Sequence, residues 1–479
     1  MYDVLIIGAG ITGTLIAREL SRYQIKVLVL EKDNDVGNRT TNANSAIIHS
    51  GYDPLPGTLK AKFNVLANPM FDQLTEELDV PFMRIGSLTV ATYDEQLPIL
   101  KQLEERSKIN GVEVKLLSAS EVKAMEPNIS PDVKGALLAP TAGIIDPFNF
   151  CIHAMENAVD NGVTCLLNQE VISIEKEVNK YIVKTNKDTF EAMIVINAAG
   201  NYADKIASMV ETIDWKITPR KGEYFLLAHF AYGFVNHVIF PLPSEKGKGV
   251  LVAPTTSSNY IVGPSSEEIP DKEDWATDTE TLTNVKNQAI NMVPNIPFNQ
   301  VIRVFSGLRP TCSRHDFIVE YSKNDKCFIN VAGIESPGLV SSPAIAKYVV
   351  EELIKPIIDL KINISFNPFV KKYKRMFYLS EEEKLKAIKE NPEYGEMVCN
   401  CENISLGEIN DALSRSVPPR SVKGLKRRTR AGFGGCQGGF CQPKVVMLLA
   451  KHYGVSPLEI PLDNEGSNIL TSEIKGGHK

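Results

Sequence analysis

Positive charge is not in excess. The 52 Lys and Arg face 58 Asp and Glu, a formal charge of −6, which excludes a general nucleic-acid binder, whose surface must be basic. No apolar run approaches the roughly 18 residues that suggest a membrane span. No basic leader precedes the first apolar segment, so neither a spanning helix nor a secretory signal is expected, and a cytoplasmic location is. Cysteine is sparse, eight in 479 residues, too few for a disulfide scaffold. Cys151, Cys165, Cys312 and Cys327 are scattered and read as buried apolar thiols in a reducing compartment. Repeats and low-complexity tracts are missing as well. With 43% hydrophobic and 23% charged residues, the chain is ordinary globular material, long enough for more than one folding unit.

What is present begins with a strand, a glycine turn, a helix and a second strand. Val4 to Ile7 runs into Gly8-Ala9-Gly10-Ile11-Thr12-Gly13, and a helix with Leu15, Ile16, Ala17 and Leu20 inward follows; Val27 to Leu30 is the second strand, ending at Glu31. Continuous apolar strands of this kind belong to a parallel sheet buried on both faces. In a Rossmann-like unit Gly8 allows the tight turn, Gly10 lets backbone approach a pyrophosphate, and Gly13 lets helix close on strand, with Ile11 and Thr12 between them at the helix amino terminus. Glu31, eighteen residues after Gly13, is placed to accept from ribose hydroxyls, with Lys32 beside it. The motif does not separate FAD from NAD; the absence of a second such motif and the character of the later segments favour FAD.

Those later segments alternate. Val163 to Leu167, the hairpin of Val171 to Ile174 with Tyr181 to Lys184, Ala192 to Asn197 and Phe328 to Gly333 continue the first domain, and a helix from about Ala344 to Leu353 closes it. Residues 86–140 and 216–300, with strands such as Gly222 to Leu227 and Gly249 to Ala253, read as a second, more antiparallel domain inserted into the first.

Four cysteines crowd the carboxyl end as C-x-C (Cys399, Cys401) and C-x₄-C (Cys436, Cys441), 34 residues apart. Paired thiolates at short spacing suit a zinc ion or an iron–sulfur cluster; the C-x-C arm is tight for a zinc knuckle. The basic run Lys426-Arg427-Arg428-Thr429-Arg430 is expected to compensate a buried anionic cluster.

The segments Asn42 to Gly51, Gly143 to Pro147, Asn197 to Gly200, Pro219 to Tyr224 and Ser306-Gly307-Leu308-Arg309-Pro310 together resemble the D-amino-acid-oxidase-like FAD superfamily over about residues 1–365, and within it the flavin-dependent glycerol-3-phosphate and L-2-hydroxyglutarate dehydrogenases. The resemblance implies cofactor contacts at Asn42, Asn44, Ser45, Val171, Ala199, Gly200 and Gly307, and along the loop from Gly333 through Pro337, Gly338, Leu339 and Val340. It puts His49 at the flavin edge as acceptor of a substrate proton. Arg309, as a guanidinium, suits a phosphate or carboxylate; Lys221 and Tyr224 either join it or cap a strand. Residues about 399–460 resemble the bacterioferritin-associated-ferredoxin-like domain, which implies a 2Fe–2S cluster on the four cysteines.

The expected architecture is therefore α/β. It comprises a discontinuous FAD-binding domain (1–85, 141–215 and 301–365), a substrate domain (86–140 and 216–300), a linker arm (366–398) and a 2Fe–2S-binding domain (399–460). The expected activity is oxidation of a small anionic hydroxy substrate, sn-glycerol 3-phosphate, with electrons leaving through FAD and the cluster to a redox partner. The alternatives are L-2-hydroxyglutarate oxidation or a non-catalytic electron-transfer subunit.

Overall fold

In a computed structural model, residues 1–229, 233–243 and 249–472 are described. The first sheet runs in the order Val171–Lys176, Tyr181–Thr185, Thr189–Asn197, Tyr2–Ile7, Val27–Leu30, Thr164–Leu166, and Phe328–Ala332 pairs with the end of Thr189–Asn197. Its centre is parallel, and the hairpin at one edge is antiparallel. Alternate residues of the first strand serve different cores. Val4 and Ile6 face the helices Ile11–Leu20, Pro147–Asp160 and Gly338–Tyr348; Leu5 and Ile7 join Tyr181 and Phe328 on the opposite face. Burial on both faces is why this strand reads as an unbroken apolar run.

A second sheet holds Glu267–Glu268, Ile217–Leu227, Tyr260–Gly263, Leu251–Pro254, Val238–Pro241, Ser87–Ala91, Gly135–Ala139 and Lys115–Ser118 in that order. It is antiparallel except where Val238–Pro241 meets Ser87–Ala91. Two strands extend beyond expectation. Ile217–Leu227 begins five residues before Gly222, and Val301–Cys312, expected in the first domain, is hydrogen-bonded along its length to Ile217–Leu227 in the second sheet. The closing helix begins at Gly338, six residues before Ala344. Pro343, which reads as a boundary, lies inside it and removes only the bond to the Leu339 carbonyl.

The arm contains a helix, Glu381–Glu390, started by a capping box between Ser380 and Glu383. Beyond it a compact module forms around Cys399, Ile409, Leu425, Val445 and Leu449. Its helix Val422–Thr429 docks on the first domain through charge. Asp35, 1% exposed, accepts from Arg428 Nη1 at 2.7 Å and Nη2 at 2.8 Å, and from Arg427 Nη2 at 3.2 Å. Burial alone would push the Asp35 carboxyl up; the two guanidiniums outweigh it and hold the group below its usual range. Gly424 permits the approach, since a Cβ there would stand 2.9 Å from Asp35 Oδ2. A second clamp joins Arg415 to Glu156 at 3.2 Å, with the guanidinium 3.3 Å over the Tyr373 ring, itself stacked on His153.

Asp35→Asn leaves Arg428 buried without its anion and is expected to cost about 3–5 kcal/mol, read by urea denaturation. Because the folded carboxyl lies below its unfolded value near 3.9, this stabilisation is present above that pH and is lost as pH falls through the folded value. The Asn variant should lack that acid dependence.

Candidate functional site

The glycine turn works through space its side chains do not take. Gly8 holds φ +106°, and a Cβ there would fall 2.5 Å from the Ala198 carbonyl oxygen; at Gly13 it would fall 2.0 Å from the Gly8 carbonyl oxygen. Helix and strand therefore close on each other, and the helix amino terminus at Gly10 opens into a cavity of about 450 Å³. No side chain caps that end; the Ile11 N–H alone is taken, by Thr41 Oγ1 at 3.0 Å. Glu31 lines the same cavity and accepts from the backbone N–H of Ala9 (2.7 Å) and Asp33 (2.9 Å). Burial, and then the Asp33 charge, raise its carboxyl to about 7.

Most sequence-predicted contacts meet in this one cavity: Gly8, Gly10, Ile11 and Thr12 from the turn, Glu31 and Lys32 from the second strand, Asn44, Ser45 and His49, then Val171, Ala199, Gly200, Arg309, Pro337, Gly338 and Leu339. Five do not line it. Gly13 lies behind the turn, Val340 is in the core, and Gly333 makes a φ +66° bend against Cys312. Gly307 is pressed onto Ala43, where a Cβ would meet the carbonyl oxygen at 2.0 Å, and Asn42 lines a separate cavity. The loop expected at Gly338 to Val340 is the first turn of a helix; the Gly338 N–H donates to the Glu335 carbonyl, and those of Leu339 and Val340 are left as donors of a helix amino terminus. Asn44 organises its own loop, accepting from Ala46 N–H and donating to the carbonyls of Thr40 and Thr41.

Around the far part of the cavity cations outnumber anions. Glu335, 5% exposed, receives Lys60 Nζ at 2.8 Å, Thr311 Oγ1 at 2.9 Å and the Arg220 guanidinium. Arg309 donates Nε to the Arg220 carbonyl at 3.2 Å, and Nη2 to those of Lys221 at 3.3 Å and Ser265 at 2.8 Å. Among the described residues no carboxylate comes within ion-pair distance of Arg309. Arg220 Nε and Asn201 Oδ1, on residues lining the cavity, are buried without hydrogen-bond partners. Buried cationic and orphaned polar atoms around a pre-formed apolar cavity fit an anionic, polar ligand. His49 stands beside Phe240, ring centroids 5.8 Å apart, its backbone carbonyl held by the amides of Asn64 and Asn68.

Sequence reasoning singled out Lys221 and passed over Arg220, Lys60 and Glu335. Lys221 turns away to Asp274 at 3.0 Å and the Ala276 carbonyl. Strand parity carried the missing signal: Tyr224 faces the cavity, so Arg220, four residues earlier, shares its face and Lys221 does not.

The four cysteine thiols form two pairs. Cys401 and Cys436 stand 3.5 Å apart, and Cys399 hydrogen-bonds Cys441. Cys399 and Cys441 are buried, whereas Cys401 is exposed. Compensation differs from the expectation for the basic run. Arg427 and Arg428 are spent on Asp35, and Arg430 on Glu402 at 2.9 Å. The sulfurs receive backbone N–H groups instead, Cys399 from Gly432, Glu402 and Cys401, and Cys436 from Phe440, Gly438 and Gly439. Such a nest of amides suits an anionic two-iron unit with two thiolates per metal.

The family model for FAD dependent oxidoreductases matches residues 3–352, and that for the BFD-like [2Fe-2S] binding domain matches residues 397–451. The chain is 48% identical over 476 residues to a glycerol 3-phosphate dehydrogenase of Caloramator mitchellensis, covering 99% of both. It is 36% identical to a glycerol 3-phosphate oxidase of Mycoplasma genitalium, covering 76% of this chain and 97% of that protein. The structure of dithionite-reduced L-alpha-glycerophosphate oxidase from Mycoplasma pneumoniae with FAD bound superimposes with a TM-score of 0.74 at 32% identity, over 77% of this chain and 98% of that one.

Gly13→Ala would drive a methyl group into the Gly8 carbonyl. It is expected to exceed the about 1–3 kcal/mol usual for overpacking and to yield protein lacking bound dinucleotide, measured as the ratio of visible to ultraviolet absorbance after purification.

Proposed function

The chain belongs to the FAD dependent oxidoreductase family and carries a BFD-like [2Fe-2S] binding domain, and we propose that it oxidises sn-glycerol 3-phosphate to dihydroxyacetone phosphate and delivers the electrons to a partner acceptor. The observation that carries this reading is Arg309, a half-buried guanidinium tied to carbonyls but, among the described residues, to no carboxylate, in the same cavity as His49 and the glycine turn. The full-length likeness to a glycerol 3-phosphate dehydrogenase supports the substrate.

Bound FAD supplies a two-electron acceptor for the carbinol carbon, and the cluster a one-electron outlet. The remaining work falls to this chain's own side chains. Arg309 binds the substrate phosphate through its uncommitted N–H groups, and Arg220 and Lys60 add positive charge that Glu335 only partly offsets. This fixes the carbinol near His49, whose imidazole takes the hydroxyl proton as the carbon is oxidised. The apolar side chains of Ile47, Phe240 and Leu251 keep water from the reacting carbon. Glu31 and the amino termini of the helices at Gly10 and Gly338 hold the cofactor's ribose, phosphates and ring.

At the other end Cys401 lies at the surface, and Phe440, next to Cys441 in sequence, is 85% exposed, which gives electrons an exit toward a protein acceptor. The unpaired thiols of Cys151 and Cys312, buried in the core, fit a reducing, cytoplasmic setting. No helix among the described residues is long and apolar enough to cross a membrane.

Anaerobic addition of glycerol 3-phosphate should bleach the flavin absorbance; bleaching by L-2-hydroxyglutarate alone would transfer the assignment to that acid. Arg309→Gln is expected to raise KM at least about 100-fold, the loss of a charged hydrogen-bonded anchor. His49→Asn should lower kcat by about 10²–10⁴ with a smaller effect on KM. Dye-linked steady-state kinetics separate the two.

A further inference from the structure

A second cavity, of about 540 Å³, lies between the two sheets and the cysteine module. The strand Val301–Cys312 connects it to the first. On one face of that strand Arg303, Phe305, Gly307 and Arg309 follow one another at alternate positions. Gly307 is pressed against the Ala43 carbonyl, and along the strand it stands between Arg309, which lines the first cavity, and Arg303 and Phe305, which line the second. The two guanidiniums are six residues, about 20 Å, apart.

The second cavity repeats the charge condition of the first. Arg303 makes no hydrogen bond or ion pair among the described residues, and burial lowers its pKa with only the Asp463 charge opposing. Lys426, 9% exposed, has one polar partner, Gln437 Oε1 at 3.3 Å, and no carboxylate. The nearby acids are already committed, Asp463 to Lys423 and Arg427, and Glu273 to Lys32 and Arg39. Neighbouring cations make the excess costly: after burial itself, Arg303, Lys423 and Arg430 pull the Lys426 ammonium down to about 7.

The walls are in part aromatic and adjoin the cationic end, with Lys426 Nζ 4.5 Å and the Arg430 guanidinium 4.9 Å from the Phe433 ring centroid. Phe148, Trp275, Phe305 and Phe433 line the cavity, Phe148 and Phe433 with centroids 5.7 Å apart. Thr255, Thr256 and Ser257 add hydroxyls. A cationic end, aromatic walls and a polar edge in one enclosed volume are the recognition chemistry of a planar ring that carries a phosphate.

We propose that this second cavity binds a nucleoside monophosphate, its phosphate on Arg303 and Lys426 and its base against Phe305. The cavity shares Asn38, Arg39, Asn44, Ala46 and Trp275 with the first and reaches the module at Phe433, so an occupant stands between the substrate site and the cysteines.

The test is calorimetric titration of the protein replete in FAD and cluster with AMP and with UMP, using inorganic phosphate and adenosine as controls. At least one nucleotide should bind at one per chain and more tightly than either control. Arg303→Gln and Lys426→Gln should each weaken it at least tenfold, about 1.4 kcal/mol, with flavin and cluster absorbance retained as proof of folding. Arg309→Gln should leave nucleotide binding unchanged while raising at least about 100-fold the glycerol 3-phosphate concentration needed for bleaching, which keeps failure here distinct from failure of the proposed activity. Absence of binding by both nucleotides overturns the proposal. So does unchanged affinity in both Arg303→Gln and Lys426→Gln, phosphate binding as tightly as nucleotide, or loss of nucleotide binding in Arg309→Gln.

Discussion

The buried contact of Asp35 with Arg428 and Arg427 is the constraint on which the arrangement of two redox modules depends. Asp35 follows closely on Glu31, so the segment that lines the cavity at the glycine turn also receives the cysteine module. A carboxylate this deeply buried requires its cations, and the cations require it. The penalty for separating them keeps the module in one orientation, more than the attraction itself adds to stability. The Arg415, Glu156 and Tyr373 clamp repeats the device on the helix Pro147–Asp160. Two polar clamps at separate points resist rotation as well as dissociation.

With Arg427 and Arg428 committed to docking, the thiols are balanced largely in another way, and the glycines around them supply it. Gly432 and Gly438 hold positive φ values that turn backbone N–H groups toward sulfur, and Gly434 allows the chain to pass Cys401 at a distance where a Cβ would stand 2.5 Å from that residue's Cβ. Amide dipoles fixed by the fold compensate charge without carrying a net charge of their own, which leaves the module able to sit beside a cationic cavity.

The strand Val301–Cys312 plays the corresponding part in the second sheet. Hydrogen-bonded along its whole length to Ile217–Leu227, it is rigid enough to hold two guanidiniums at a fixed separation with a glycine between them. Gly307 matters because nothing is there: the loop at Ala43 occupies the space a side chain would fill, between the stretches of strand that line the two cavities. In the first cavity, Glu335 draws Lys60 and Arg220 together from distant parts of the chain and leaves Arg309 with an unbalanced charge.

Local features were legible in the amino-acid order because their physics is local. The glycine turn, the strand that ends at Glu31, the hairpin from Val171 and the two cysteine pairs depend on steric room, apolar periodicity and spacing over a few residues. Together they fixed the α/β class, the dinucleotide cradle and the thiolate centre. The helix start at Gly338 was less legible, since Pro343 imitates a boundary whose true position depends on the turn before it. Other features had no local signature. The assignment of Val301–Cys312 to the second sheet, the burial of Glu335 between two cations and the diversion of Arg427 and Arg428 to Asp35 all arise from residues more than seventy positions apart. Charge identity is written in the sequence, but which charge meets which is decided only when folding removes water from between them.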